Sequence, residues 1–139
     1  MSRERGAAAS VEAVLILPAI LLFVGLLLSL GRLAIADQHV GAAASAAARA
    51  AALERTVPAA TRAAEEALAH ALAERNVVCR AVSTVVSAAG VARPLGESAM
   101  VSVDVTCAVE LSDITLPGVP GTVSVSATRD APVDPLRGR

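Results

Sequence analysis

From Ala13 to Leu30 the chain runs eighteen residues without a charged side chain. As an α-helix this stretch covers about 27 Å, close to the thickness of a bilayer's hydrocarbon core. Pro18 falls in its first turns, where a membrane helix tolerates proline best. Arg3 and Arg5 precede the run, with Glu4 between them. The positive-inside rule counts the arginines and largely ignores the glutamate, so the N-terminus is expected in the cytoplasm. Arg32 on the far side weakens this bias without reversing it. The expected organisation is a cytoplasmic leader at 1–6, a transmembrane helix at 7–36 and a small extracytoplasmic domain.

That domain has little with which to build a core. It holds about a hundred residues, enough for a modest interior only. Alanine is the commonest residue of the chain. It favours helix and close packing but removes little apolar area from water. The single aromatic residue, Phe23, lies inside the apolar run. The outer domain thus lacks the aromatic side chains on which stacking sites and cofactor pockets depend, and no small-molecule ligand or cofactor is expected. Net charge is −1, so no basic field attracts nucleic acid.

Beyond the apolar run, Ala34 to Leu53 is alanine-rich, and helix should continue straight out of the membrane. Thr56-Val57-Pro58 interrupts it, because the residue before proline is biased away from helix. A second helix is expected from about Ala59 to Arg75, with Leu68 and Leu72 on one face and Arg62, Glu65 and Glu66 toward another. The period then changes to two. Val101, Val103, Val105, Cys107, Val109 and Leu111 alternate with polar or small residues, as do Val123, Val125 and Ala127. Val77 to Ser87 is a third, valine-rich strand candidate. Pro117-Gly118 and Pro120-Gly121 mark a turn-rich connection. The expected fold class is α+β: a long membrane helix, a second helix after Pro58, then an antiparallel sheet of three strands. The helical segment is placed at 37–76, the β region at 77–129 and an extended tail at 130–139. A three-stranded sheet with one apolar face needs a cover, and the helices supply it.

No catalytic set emerges, and an enzyme is the least favoured class. His39 and His70 lie on different predicted helices with no acidic or cysteine partner at ligand spacing. The serines lack a nucleophile-elbow context, and the glycines form no phosphate loop. Gly25/Ser29 and Gly41/Ser45 are pairs of small residues four apart, a spacing that lets another helix approach, although such pairs also arise readily in a chain of this composition. Cys79 and Cys107 each fall on a predicted strand. An even count in an oxidising compartment reads as a disulfide, against two free buried thiols. It would close a loop of roughly 30 residues and contribute about 3–4 kcal/mol on the chain-entropy model.

Glu12 stands at the edge of the apolar run, where a charge either snorkels to the headgroups or has a partner. The sequence before it bears on the choice. Arg5-Gly6-Ala7-Ala8-Ala9-Ser10-Val11-Glu12, followed by the apolar run with its early Pro18, resembles the N-terminus of TadE-like pilus assembly proteins. The two cysteines in a valine-rich strand region, and the close Ala131-Pro132-Val133-Asp134-Pro135-Leu136-Arg137-Gly138, resemble actinobacterial members of that family. The resemblance implies a pilin-like minor pilin or pseudopilin of a tight-adherence (Flp-type) pilus. It implies cleavage by a prepilin peptidase at the cytoplasmic face, after a glycine, and a glutamate at the fifth mature position. It also implies other pilins and the pilus platform proteins as partners. Cutting after Gly6 makes Glu12 the sixth mature residue, whereas cutting after Ala7 makes it the fifth. In an assembled bundle, Glu12 would pair with the N-terminal amine of a neighbouring subunit.

Two other readings remain open at this stage. Ala34-Ile35-Ala36 before Asp37 has the form of a signal-peptidase site, which would make the chain a secreted protein, although the apolar run exceeds the usual signal-peptide length. A membrane-tethered binding module unrelated to pili would fit the anchor equally well, but nothing in the outer domain names its ligand.

Overall fold

The computed structural model describes residues 3–94, 96–110 and 121–136; the side chains of 3–13 and of Leu15 are outside the description. The chain forms α1 (Arg3–Leu53), α2 (Val57–Glu74), β1 (Cys79–Ser87), a short 3-10 turn (Ala89–Ala92), β2 (Ala99–Glu110) and β3 (Thr122–Val133). This is α+β, with two helices followed by a three-stranded antiparallel sheet in the order β1-β2-β3. The expected Pro117-Gly118 connection lies outside the described residues.

α1 is one helix of 51 residues, about 76 Å long. It ends where the sequence forbids continuation. Thr56 is extended, and its hydroxyl accepts the Ala59 N–H, capping α2. α2 begins at Val57, earlier than Pro58 suggested, because proline in the first turn has no N–H to satisfy and its fixed φ suits the helix. Its far end closes on Asn76, which adopts φ 52°. There the Val77 N–H donates to the Leu72 carbonyl and the Asn76 N–H to that of Ala73. This 6→1 and 5→2 pair is the usual way a helix terminates through a left-handed residue.

The two helices form an antiparallel hairpin that covers one face of the sheet. Val40, Ala43, Ala44, Ala47, Ala48, Ala51 and Ala52 of α1 are buried at helical spacing, and so are Ala60, Ala64, Leu68, Ala71 and Leu72 of α2. Alanine on both surfaces lets the helices approach closely. The apolar volume comes from the sheet, whose Val101, Val103 and Val105 are almost wholly buried. Each contributes about 1.5–3 kcal/mol through burial. The opposite face carries Ser102, Asp104, Thr106, Ser124, Ser126 and Thr128 and is largely open to solvent. One wet face is normal for an antiparallel sheet.

Two local features depart from simple alternation. In β1 the register shifts between Cys79 and Ala81, so that Cys79 lies opposite Val109 while Ala81 lies opposite Ala108. Arg80 is the extra residue of a β-bulge. β3 continues to Val133, past the expected end of the β region at 129. Ala131 and Val133 are buried on the helix side, which holds the segment in the sheet. Pro132 is accommodated because β3 is an edge strand, where a missing N–H need not break a ladder.

Gly90 marks the closest backbone approach. A Cβ there would lie 2.4 Å from the Met100 carbonyl oxygen, so only glycine lets the 3-10 turn press against β2.

Candidate functional site

The chain divides along α1. From Val14 to Ile35 its large apolar side chains are mostly exposed, with Phe23 60 % and Leu28 63 % accessible. From Val40 the same helix enters the domain core. Leu33 and Ala36 pack partly against that core and mark the junction. α1 is long and apolar enough to cross a membrane, and its most apolar window is hardly covered by the rest of the chain. A row of exposed leucines on one helix is costly in water and suited to lipid.

The domain is fixed to α1 by helix–sheet packing. Leu30–Asp37 lies beside Val123–Ser126, and Arg49–Arg55 lies beside Ala131–Asp134. β3 and α1 therefore run in the same direction. Between these contacts, Arg129 crosses α1 at Gly41. A Cβ on Gly41 would lie 2.8 Å from the Arg129 Nη2. Arg129 also donates from Nη1 to the Thr128 carbonyl at 2.7 Å. The sequence carried a signal for this contact. Val123, Val125, Ala127, Ala131 and Val133 occupy one parity of β3, and Arg129 is the charged residue among them.

This contact also changes the reading of the small-residue pairs. Ser45 donates to the Gly41 carbonyl at 3.0 Å, and Gly41 itself is covered by Arg129. The second pair therefore serves packing within the chain, not approach by another helix. Ser29 donates to the Gly25 carbonyl at 2.8 Å, which satisfies its hydroxyl inside the apolar segment.

Cys79 and Cys107 are joined by a disulfide, with Cα atoms 5.4 Å apart. Cys107 is fully buried, so the bridge ties β1 to the central strand at its core-facing side. On the outer face Arg80 Nη1 meets Glu110 Oε1 at 3.0 Å. His39 sits half-buried on α1, and His70 lies on α2 with its Nδ1 3.7 Å from Glu74 Oε2. Both members of the His70 pair are well exposed, and such a pair contributes little.

Gly6, Ala7 and Glu12 fall within the backbone of α1, in its first turns. Their side chains lie outside the described residues.

Residues 7–49 match the family of TadE-like proteins. The match spans the membrane segment and the part of α1 that enters the core. No curated protein and no solved structure matches the chain.

Proposed function

We propose, from the premise that residues 7–49 are TadE-like, that this chain is a minor-pilin or pseudopilin-like subunit used in building a tight-adherence (Flp-type) pilus. The observation that carries the reading is the double use of α1. Its first part is an exposed apolar helix, and its second part is the spine of the folded domain. Such a subunit presents lipid-soluble helix for bundling while it holds a polar domain outside the bundle. The N-terminus would lie in the cytoplasm and the domain on the other side. A prepilin peptidase would remove the leader after Gly6 or Ala7. The new amine of one subunit would then pair with Glu12 of a neighbour, setting the axial register between helices.

Release as a secreted protein fits the packing less well. Cleavage after Ala36 would cut α1 in mid-helix and remove Leu33 and Ala36, both of which pack against the core.

The Glu12 pairing is tested with Glu12→Ala at normal protein level. Insertion and leader cleavage should proceed, because neither step needs the carboxylate. Pilus number and recovery of partner pilins should fall sharply, since losing one member of a buried pair costs about 3–5 kcal/mol. Glu12→Asp should be intermediate. Normal pili and normal partner recovery in Glu12→Ala would leave Glu12 as an ordinary interfacial residue.

A further inference from the structure

A groove of about 490 Å³ opens on the flank of α1 where the apolar segment ends. One wall is α1 itself, with Arg32, Ile35 and His39. The other wall is the corner where α2 turns into β1, with Arg75, Asn76 and Val78. Residues more than forty positions apart in sequence thus share one surface. The corner is held there by the left-handed Asn76 and the two hydrogen bonds that end α2.

Its level relative to the membrane follows from helix geometry. Arg32 lies two residues past Leu30 and Ile35 five, which puts them about 3 Å and 7.5 Å beyond the end of the apolar run. The headgroup layer on each side of a bilayer is about 5–7 Å deep. The groove therefore opens at headgroup level on the domain's side, whichever side of the membrane that is. Its charge suits that place. Among the described residues neither Arg32 nor Arg75 pairs with a carboxylate. Arg75 donates from Nη1 to the Ala71 carbonyl at 2.9 Å, a bond to a neutral acceptor that holds the side chain and leaves its charge uncompensated. The one carboxylate on the groove, Glu110, is met by Arg80. Asp37, exposed on α1, lines the neighbouring groove against β3. The excess charge is positive. Around it, Ile35 is 54 % and Val78 75 % exposed, continuing the apolar surface of the membrane segment upward.

We infer that this groove binds the phosphodiester headgroup of an anionic phospholipid from the leaflet in which α1 ends. Arg32 and Arg75 face the phosphate from two sides, and Ile35 and Val78 flank the headgroup at the outer edge of its layer. The contact fixes the domain's height and rotation against the bilayer. It rests on α1 spanning the membrane and is independent of any role in pili.

The test uses the full chain in nanodiscs of mixed phosphatidylcholine and phosphatidylglycerol, followed by native mass spectrometry of the lipids it retains. Wild type should be enriched in phosphatidylglycerol over the disc composition. Arg32→Gln with Arg75→Gln should cut that enrichment about tenfold, since each basic residue adds attraction at an anionic surface. Arg32→Lys with Arg75→Lys should keep most of it. Entry into discs without enrichment, or enrichment unchanged in the double glutamine variant, overturns the headgroup assignment alone. A chain that does not enter discs overturns the spanning helix and the assignment together. A double glutamine variant that keeps its lipid but loses a co-purifying protein assigns the groove to a protein partner and overturns the proposal.

Discussion

Cys79 and Val82, three residues apart in β1, face the same side of the sheet. Cys79 lies opposite Val109 and Val82 opposite Cys107, and those two positions share a face of β2. An uninterrupted strand would have turned Cys79 to the solvent side, because side chains alternate with period two. The bulge at Arg80 restores it to the core side, within reach of Cys107. The same displacement accompanies the pairing of Arg80 with Glu110 on the wet face.

The disulfide should therefore be a major support of a domain built from alanine and valine. Replacing both cysteines by serine should lower stability by about 2–5 kcal/mol. Denaturant unfolding of the oxidised and double-serine proteins measures this. Alkylation of the native protein should leave both thiols unmodified, and two alkylated cysteines would contradict the bridge.

Deleting Arg80 tests the register itself. With the extra residue gone, Cys79 falls opposite Val109 in a regular ladder, and the disulfide should still form. Peptide mapping under non-reducing conditions should recover the linked peptides. Loss of the bridge in this deletion would mean that β1 is not bulged at Arg80.

Gly90 and Gly41 should respond differently to alanine. At Gly90 the added methyl meets a backbone carbonyl that cannot move alone, and overpacking of this kind costs about 1–3 kcal/mol. At Gly41 it meets the end of a long side chain, which can swing away. Gly41→Ala should cost less, since alanine also favours the helix by about 1 kcal/mol over glycine. Thermal unfolding of the two variants gives the order.

Val103 is fully buried on the central strand under the helices. Val103→Ala should destabilise by about 1–3 kcal/mol from lost burial and the cavity left behind. Val85→Ala, on a largely exposed residue of the edge strand, should cost much less. Equal losses at the two sites would argue that the helix hairpin does not cover the sheet as described.

Orientation and processing can be read in one strain. A reporter fused after Arg139 should be active only if it functions outside the cytoplasm. N-terminal sequencing should find Ala7 or Ala8, and a large residue at Gly6 should make the precursor accumulate. A mature end at Asp37 would instead point to a secreted protein.

Much of this molecule could be read without coordinates, because it depends on local pattern. Eighteen uncharged residues make Ala13–Leu30 a membrane-length helix whatever surrounds it. Thr56 and Pro58 divide the helical region by backbone chemistry alone, and the valine alternation of 101–109 implies a strand with one buried face. What the tertiary structure decided is how these pieces meet. Period-two reading assumes regular strands, so it could not foresee the bulge at Arg80 that turns Cys79 toward Cys107. The tail's two prolines suggested an end to the sheet at 129. Burial of Ala131 and Val133 against α1 outweighs that local preference. Gly41 and Arg129 are 88 positions apart, and Arg32 and Arg75 are 43 apart. The parity of β3 marks Arg129 as a helix-facing charge, but no local pattern names Gly41 as its partner or joins Arg32 to Arg75, since each pairing exists only because a long helix, a hairpin partner and a sheet bury their apolar faces on one another.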